Sequence, residues 1–189
     1  MKILNPLKHF QEKSLLLFNL FLLVIGVVIA IKSNVRFDGV LDLHFIPIPK
    51  ATKTVTDILI NIVTLTLVFF VFGRIINSKT RVIDCLNLAF LSRIPFYIVS
   101  ALNITGQMYS WSNYLTNKVL KNSLDFNFSE LIIVILLAIS GLTALIVSVI
   151  LLFNGFKTAT NAKTTKHYLL FVAALLICEI ISAIILKNL

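Results

Sequence analysis

Five long apolar runs, at residues 14–31, 57–76, 82–103, 131–153 and 168–186, constrain this chain more than any other feature. A helix rises about 1.5 Å per residue and a hydrocarbon core is roughly 30 Å thick, so each run is about long enough to span a bilayer. A soluble fold of 189 residues has too little polar surface to cover so much apolar area. In lipid no cover is needed, and helices close their backbone hydrogen bonds internally. The expected fold is therefore all-α: a bundle of five transmembrane helices with short interfacial helices, forming one domain over residues 1–189. The connections between runs leave no room for a separate soluble domain.

The first run raises the question of a signal peptide, because Val28-Ile29-Ala30 places small residues near a plausible cleavage point. Its length and the four runs behind it favour a retained signal-anchor helix.

The net charge of +9 does not point to nucleic acid, because the cations are scattered over every connection and both termini. They read instead as topology signals. Lys2, Lys8 and Lys13, then Arg74, Lys79 and Arg81, then Lys157, Lys163 and Lys166 fall on one side in short segments. The other side carries Lys32, Arg36, Lys50, Lys53, Lys118, Lys121 and Lys187 in longer ones. The denser side is expected to be cytoplasmic, which puts the N-terminus inside and the C-terminus outside a bacterial inner membrane.

Two stretches have the character of interfacial helices. Asn5-Pro6 suggests a cap and a first-turn proline, after which Ile3, Leu7 and Phe10 would face lipid while Lys8, Gln11 and Glu12 face water. Met108, Trp111, Leu115 and Val119 recur at helical spacing, and Tyr109, Trp111 and Tyr114 suit a membrane–water boundary. Both stretches are expected to anchor the bundle.

Ionisable residues inside spans are costly and so are the natural candidates for function. Arg93 and Glu179 are each 11 residues from the expected cytoplasmic end of their span, which places both at about the same depth. The expectation is an intramembrane ion pair between them. Pro95 removes the N–H that would bond the Leu91 carbonyl, and predicts a kink in the third span. The donor that answers that carbonyl is expected to be Arg93 or Ser92. Ser140, Ala144 and Ser148 form a small-residue stripe on the fourth span, and Ala174, Cys178 and Ser182 another on the fifth. They predict close helix packing, one stripe on the other being one arrangement, with homo-oligomerisation the alternative.

Reactive chemistry is hard to find. Cys85 and Cys178 lie within spans and read as packing residues. Arg36, Asp38, Asp42 and His44 in the first loop read as solvated charges rather than a metal site. No HExxH, G-x-S-x-G or Walker A pattern occurs, and Asp57 and Asp84 fall at opposite membrane faces, so no dyad can form. The chain is expected to be neither an enzyme nor a holder of any metal or cofactor.

Three stretches carry a resemblance: Arg36-Phe37-Asp38-Gly39-Val40-Leu41-Asp42-Leu43-His44 after the first span, Leu91-Ser92-Arg93-Ile94-Pro95-Phe96-Tyr97 within the third, and residues 154–163 after the fourth. With its five spans, the chain resembles the Yip domain family of small multi-span proteins, whose eukaryotic members are named for interaction with Ypt/Rab GTPases. Those members place a substantial cytosolic segment before the first span, where this chain has about 13 residues. The short form, rich in Lys, Asn and Ile, is similar to the bacterial branch.

The resemblance implies a non-enzymatic membrane scaffold or adaptor. Lys157, Lys163 and Lys166 in the loop at residues 154–167 are the candidate contact for acidic lipid headgroups or an acidic partner. Expected partners are membrane lipids and other membrane proteins. The rival expectation is a small transporter or lipid-handling protein that uses Arg93 and Glu179 at the midplane. No internal repeat is visible, and five spans do not divide into inverted halves, which counts against the common transporter designs.

Overall fold

The computed structural model describes residues 4–48, 50–121 and 127–189. The chain runs through a short α1 (Pro6–His9), α2 (Glu12–Lys32), two short strands β1 (Val35–Arg36) and β2 (His44–Phe45), then α3 (Ala51–Ile76), α4 (Val82–Ala101), α5 (Gln107–Leu120), α6 (Phe128–Thr160) and α7 (Thr165–Lys187). Helices α2, α3, α4, α6 and α7 are each long and apolar enough to cross a bilayer. The protein is an all-α, multi-pass membrane protein.

Helix α4 is the central element. It packs against α2, α3 and α6, while α7 leans chiefly on α3. Its sequence suits that place, because small and polar residues let neighbours approach. The Asn19 amide of α2 donates to Asn87 Oδ1 of α4 at 2.9 Å. Gly26 of α2 lies flat on Tyr97, where an added Cβ would fall 2.3 Å from the ring. Gly155 of α6 admits Leu88 in the same way. The α3–α4 turn is closed by Thr80, whose hydroxyl donates to the Gly73 carbonyl at 3.0 Å.

The small-residue stripes do pack closely, but not on each other. The α6 stripe meets α4, where Ala144 and Ser148 are buried and the Ser148 hydroxyl donates to the Ser92 carbonyl. The α7 stripe faces α3, where the Cys178 thiol lies 3.9 Å from the Thr64 carbonyl. Each stripe therefore serves a different neighbour.

Other expectations need correction at element ends. Helix α6 has 33 residues and runs on through 154–160, so the connection expected at 154–167 shrinks to Asn161–Thr164. Asn161 ends the helix in the left-handed conformation (φ 55°), which an Asn side chain tolerates. Thr164 caps α7. Helix α4 continues through Pro95 to Ala101. Neither expected donor answers Leu91: the Ser92 hydroxyl bonds the Ala89 carbonyl, and Arg93 bonds elsewhere. The N-terminal interfacial helix is only four residues long, and its Leu7 packs into the core rather than facing lipid. Ile3 lies outside the described residues. Asn5 precedes that helix without capping it, and its amide donates to Thr158 Oγ1 of α6 instead. Helix α5 buries none of its residues and forms where the sequence predicts it.

Candidate functional site

The first loop, read from sequence as solvated, enters the bundle. Val35, Phe37 and Val40 are fully buried there, and β1 pairs with β2 to bring the chain back out. Irregular backbone at membrane depth is tolerated only where protein groups satisfy its N–H and C=O groups. Side chains of three helices and of the segment after α4 supply the partners.

From α3, the Thr54 hydroxyl donates to the Val35 carbonyl, Asp57 accepts from the Phe37 N–H, and the Asn61 amide donates to the Phe37 carbonyl. Asn103, just beyond α4, donates to the Ser33 carbonyl at 2.7 Å. From α7, the Ser182 hydroxyl accepts from the Val40 N–H at 3.2 Å.

Arg93 and Glu179 complete this set. An Arg93 guanidinium N–H donates to the Val40 carbonyl. A Glu179 carboxylate oxygen accepts from the Leu41 N–H at 2.8 Å. The expected direct ion pair is not made: among the described residues no salt bridge joins Arg93 to Glu179. The two converge on the loop instead, because its backbone occupies the space between α4 and α7. Gly39 is required there, since a Cβ would fall 2.2 Å from Glu179 Oε1.

Arg93 is completely buried, yet its Nε and second terminal nitrogen, with the nearby Tyr97 hydroxyl, have no hydrogen-bond partner among the described residues. Aromatic faces take over: the guanidinium carbon lies 4.9 Å from the ring centroids of both Phe37 and Phe96. Cation–π attraction of this kind strengthens when water is excluded. Phe37 stacks edge-on against Tyr97 at 6.2 Å, so the loop's own aromatic ring is part of the arginine's cage.

Three of the four loop charges are also engaged, while Asp42 is exposed. Arg36 holds Asp57 with two bonds, at 2.5 and 3.1 Å, and His44 Nδ1 lies 2.6 Å from Asp38. Hydrogen bonding to Asp57 pushes the Arg36 guanidinium above its usual range. No cluster of three or more metal-ligating side chains occurs among the described residues.

The three candidate contact lysines sit at the other end of the bundle. Lys157, Lys163 and Lys166 are all exposed around the α6–α7 turn. Beneath them Phe69, Phe153, Phe156, Tyr168 and Phe171 pack ring to ring at 5.3–5.8 Å. Lys157 Nζ lies 5.8 Å from the Tyr168 ring. The turn therefore presents its charges on a rigid base.

Sequence reasoning singled out Arg93, Glu179 and Pro95 but missed Asp57, Asn61, Tyr97 and Ser182 as holders of the loop. A signal was present: three spans each carry two polar residues about one turn apart, Asp57 with Asn61, Arg93 with Tyr97, and Glu179 with Ser182. Such spacing puts both on one helix face. Comparison with protein-family models, with curated proteins and with solved structures returns no match.

Proposed function

We propose that the protein is a non-enzymatic membrane scaffold of the Yip-like type, which binds other membrane components at the turn between α6 and α7. The observation that carries this reading is the presentation of Lys157, Lys163 and Lys166, all exposed, on an aromatic base shared by α3, α6 and α7. A preorganised basic surface beside a bilayer attracts anionic headgroups or an acidic partner at little ordering cost. Under the proposed orientation this face is cytoplasmic, in a bacterial inner membrane, with the C-terminus outside.

The polar groups inside the bundle favour the scaffold over a transporter. Arg93 and Glu179 are engaged in holding a loop closed, a structural task. The test is extraction in native lipid discs and identification of what co-purifies. A stoichiometric partner protein should be lost when Lys157, Lys163 and Lys166 are all changed to Gln. Retention of the same components by the triple variant would overturn the reading.

A further inference from the structure

Helices α2 and α6 both lean on α4, and between them they leave a groove of about 910 Å³. Its floor is the Leu91, Pro95 and Ile98 face of α4, and its walls include Phe18 of α2 and Thr143 and Val147 of α6. The lining is almost wholly apolar, and several of these residues are exposed, so the groove opens to the bilayer rather than to water.

One end of the groove changes character. It reaches Pro6 and Phe10 of the α1 segment, and at Phe10 it adjoins a polar recess of about 380 Å³ that Glu12, Lys13, Arg81 and Asp84 help to line. Arg81 is committed there, bonded to Asp84 at 3.0 and 3.1 Å and to Glu12. Lys13 and the neighbouring Lys8 are exposed and make no ion pair among the described residues. The four charges that line the recess, Glu12, Lys13, Arg81 and Asp84, balance, and the exposed Lys8 of the adjoining α1 adds one positive charge beside them. The recess at the far end is lined by no lysine or arginine among the described residues, and its His44 is bound to Asp38.

An apolar trunk with a cationic, hydrogen-bonding mouth at the level of an interfacial helix has the shape and charge of one molecule type. We propose that this groove holds a single anionic phospholipid, its acyl chains along the Pro95 face of α4 and its phosphodiester at Lys13 and Lys8. The site is separate from the basic turn between α6 and α7, and its failure would leave the scaffold reading untouched. It makes the protein a specific holder of lipid rather than only a body surrounded by it.

The experiment uses the full chain in discs of phosphatidylcholine doped with phosphatidylglycerol carrying a photoactivatable diazirine in one acyl chain. Adducts are expected on α4 between Leu91 and Leu102 and on α6 near Thr143 and Val147. A Thr143→Trp variant, which fills the groove from an exposed position, should remove most of them. A Leu59→Trp change on the exposed face of α3 should not. Lys13→Gln should cut the preference for the phosphatidylglycerol probe over a phosphatidylcholine probe by about fivefold, the effect of roughly one lysine at a membrane surface. Adducts spread evenly over all lipid-facing helices, equal labelling by the two probes, or disulfide-linked pairs of a Thr143→Cys variant that exclude the probe would each overturn the proposal.

Discussion

Arg93 and Glu179 hold opposite sides of one peptide group: the Val40 carbonyl accepts from the arginine, and the Leu41 N–H, the other half of the same amide, donates to the carboxylate at 2.8 Å. The arrangement follows the dipole of the peptide, with the cation at its negative end and the anion at its positive end. It satisfies a buried carbonyl and a part-buried N–H while bringing two charges into mutual range.

This geometry predicts that a charge swap will not rescue the fold. Arg93→Glu would set an acceptor against the Val40 carbonyl, and Glu179→Arg would set a donor against the Leu41 N–H. Each single reversal should destabilise the fold, and the double reversal should be about as damaging as the two together. Thermal unfolding in detergent checks it, and recovery in the double variant would mean the side chains pair directly. Glu179→Gln keeps an acceptor oxygen and should be the mildest change at that position, whereas Glu179→Ala should cost about 1.5–3 kcal/mol, the usual value of a hydrogen bond to a charged group.

Gly39→Ala should be harmful out of proportion to one methyl group. The added Cβ would fall 2.2 Å from Glu179 Oε1 and 2.8 Å from its carboxyl carbon. Glu179 is fixed by its bond to Leu41, so relief requires breaking that bond or moving the loop. A cost of about 1–3 kcal/mol is expected, as for other overpacked sites. Combining it with Glu179→Ala should cost less than the sum of the two, since the clash is then gone. Strict additivity of the melting shifts would contradict the contact.

The five spans were legible because hydropathy and length decide them with little help from tertiary structure. The fate of the first loop was not. Phe37, Val40 and Leu41 read as ordinary loop apolars among Arg36, Asp38 and Asp42, and nothing in a linear pattern distinguishes a solvated loop from one that turns back into the bundle. Depth matching correctly brought Arg93 and Glu179 to one level, but no spacing rule reveals a third body between them. The α6 end was misjudged for a local reason. Asn154, Gly155 and Thr158 look like loop residues, yet Gly155 is there for the approach of Leu88, and Asn154 and Thr158 bond the Leu4–Asn5 segment.

The Arg36–Asp57 pair should matter more than a surface bridge. Asp57 is buried and also accepts from the Phe37 N–H, so Asp57→Ala leaves that N–H without its partner and Arg36 with only the longer 3.9 Å contact to Asp38. Removing one partner from a buried pair costs about 3–5 kcal/mol, and the partial exposure of Arg36 puts the expected loss at or below the lower end of that range. Proteolysis should report it specifically, with cleavage appearing between Arg36 and His44 before the helices unfold. Resistance of this stretch in the variant would mean that the α4 and α7 contacts hold the loop without Asp57.

Helix α5 offers a pH prediction with a built-in probe. Lys118 Nζ lies 2.6 Å from Glu130 Oε2, and the Tyr114 hydroxyl donates to Glu130 Oε1 at 2.6 Å. Hydrogen bonding to Glu130 raises both the Lys118 ammonium and the Tyr114 phenol above their ordinary values. A group whose folded pKa is raised contributes stability that is full below its unfolded pKa and is lost as pH climbs through the folded one. The unfolded values are about 10 for Tyr and 10.4 for Lys, so docking of α5 on the start of α6 should hold to about pH 9.5 and weaken above it. Trp111, the only tryptophan in the chain, stacks edge-on against Tyr114 at 5.9 Å and reports the change. Its emission maximum should stay constant from pH 6 to about 9.5 and shift beyond. Lys118→Met should produce a shift at neutral pH. Tyr114→Phe, which removes the phenol's own titration but keeps the Lys118–Glu130 pair, should retain the alkaline transition. A transition that vanishes with Tyr114→Phe would assign the effect to the phenol alone.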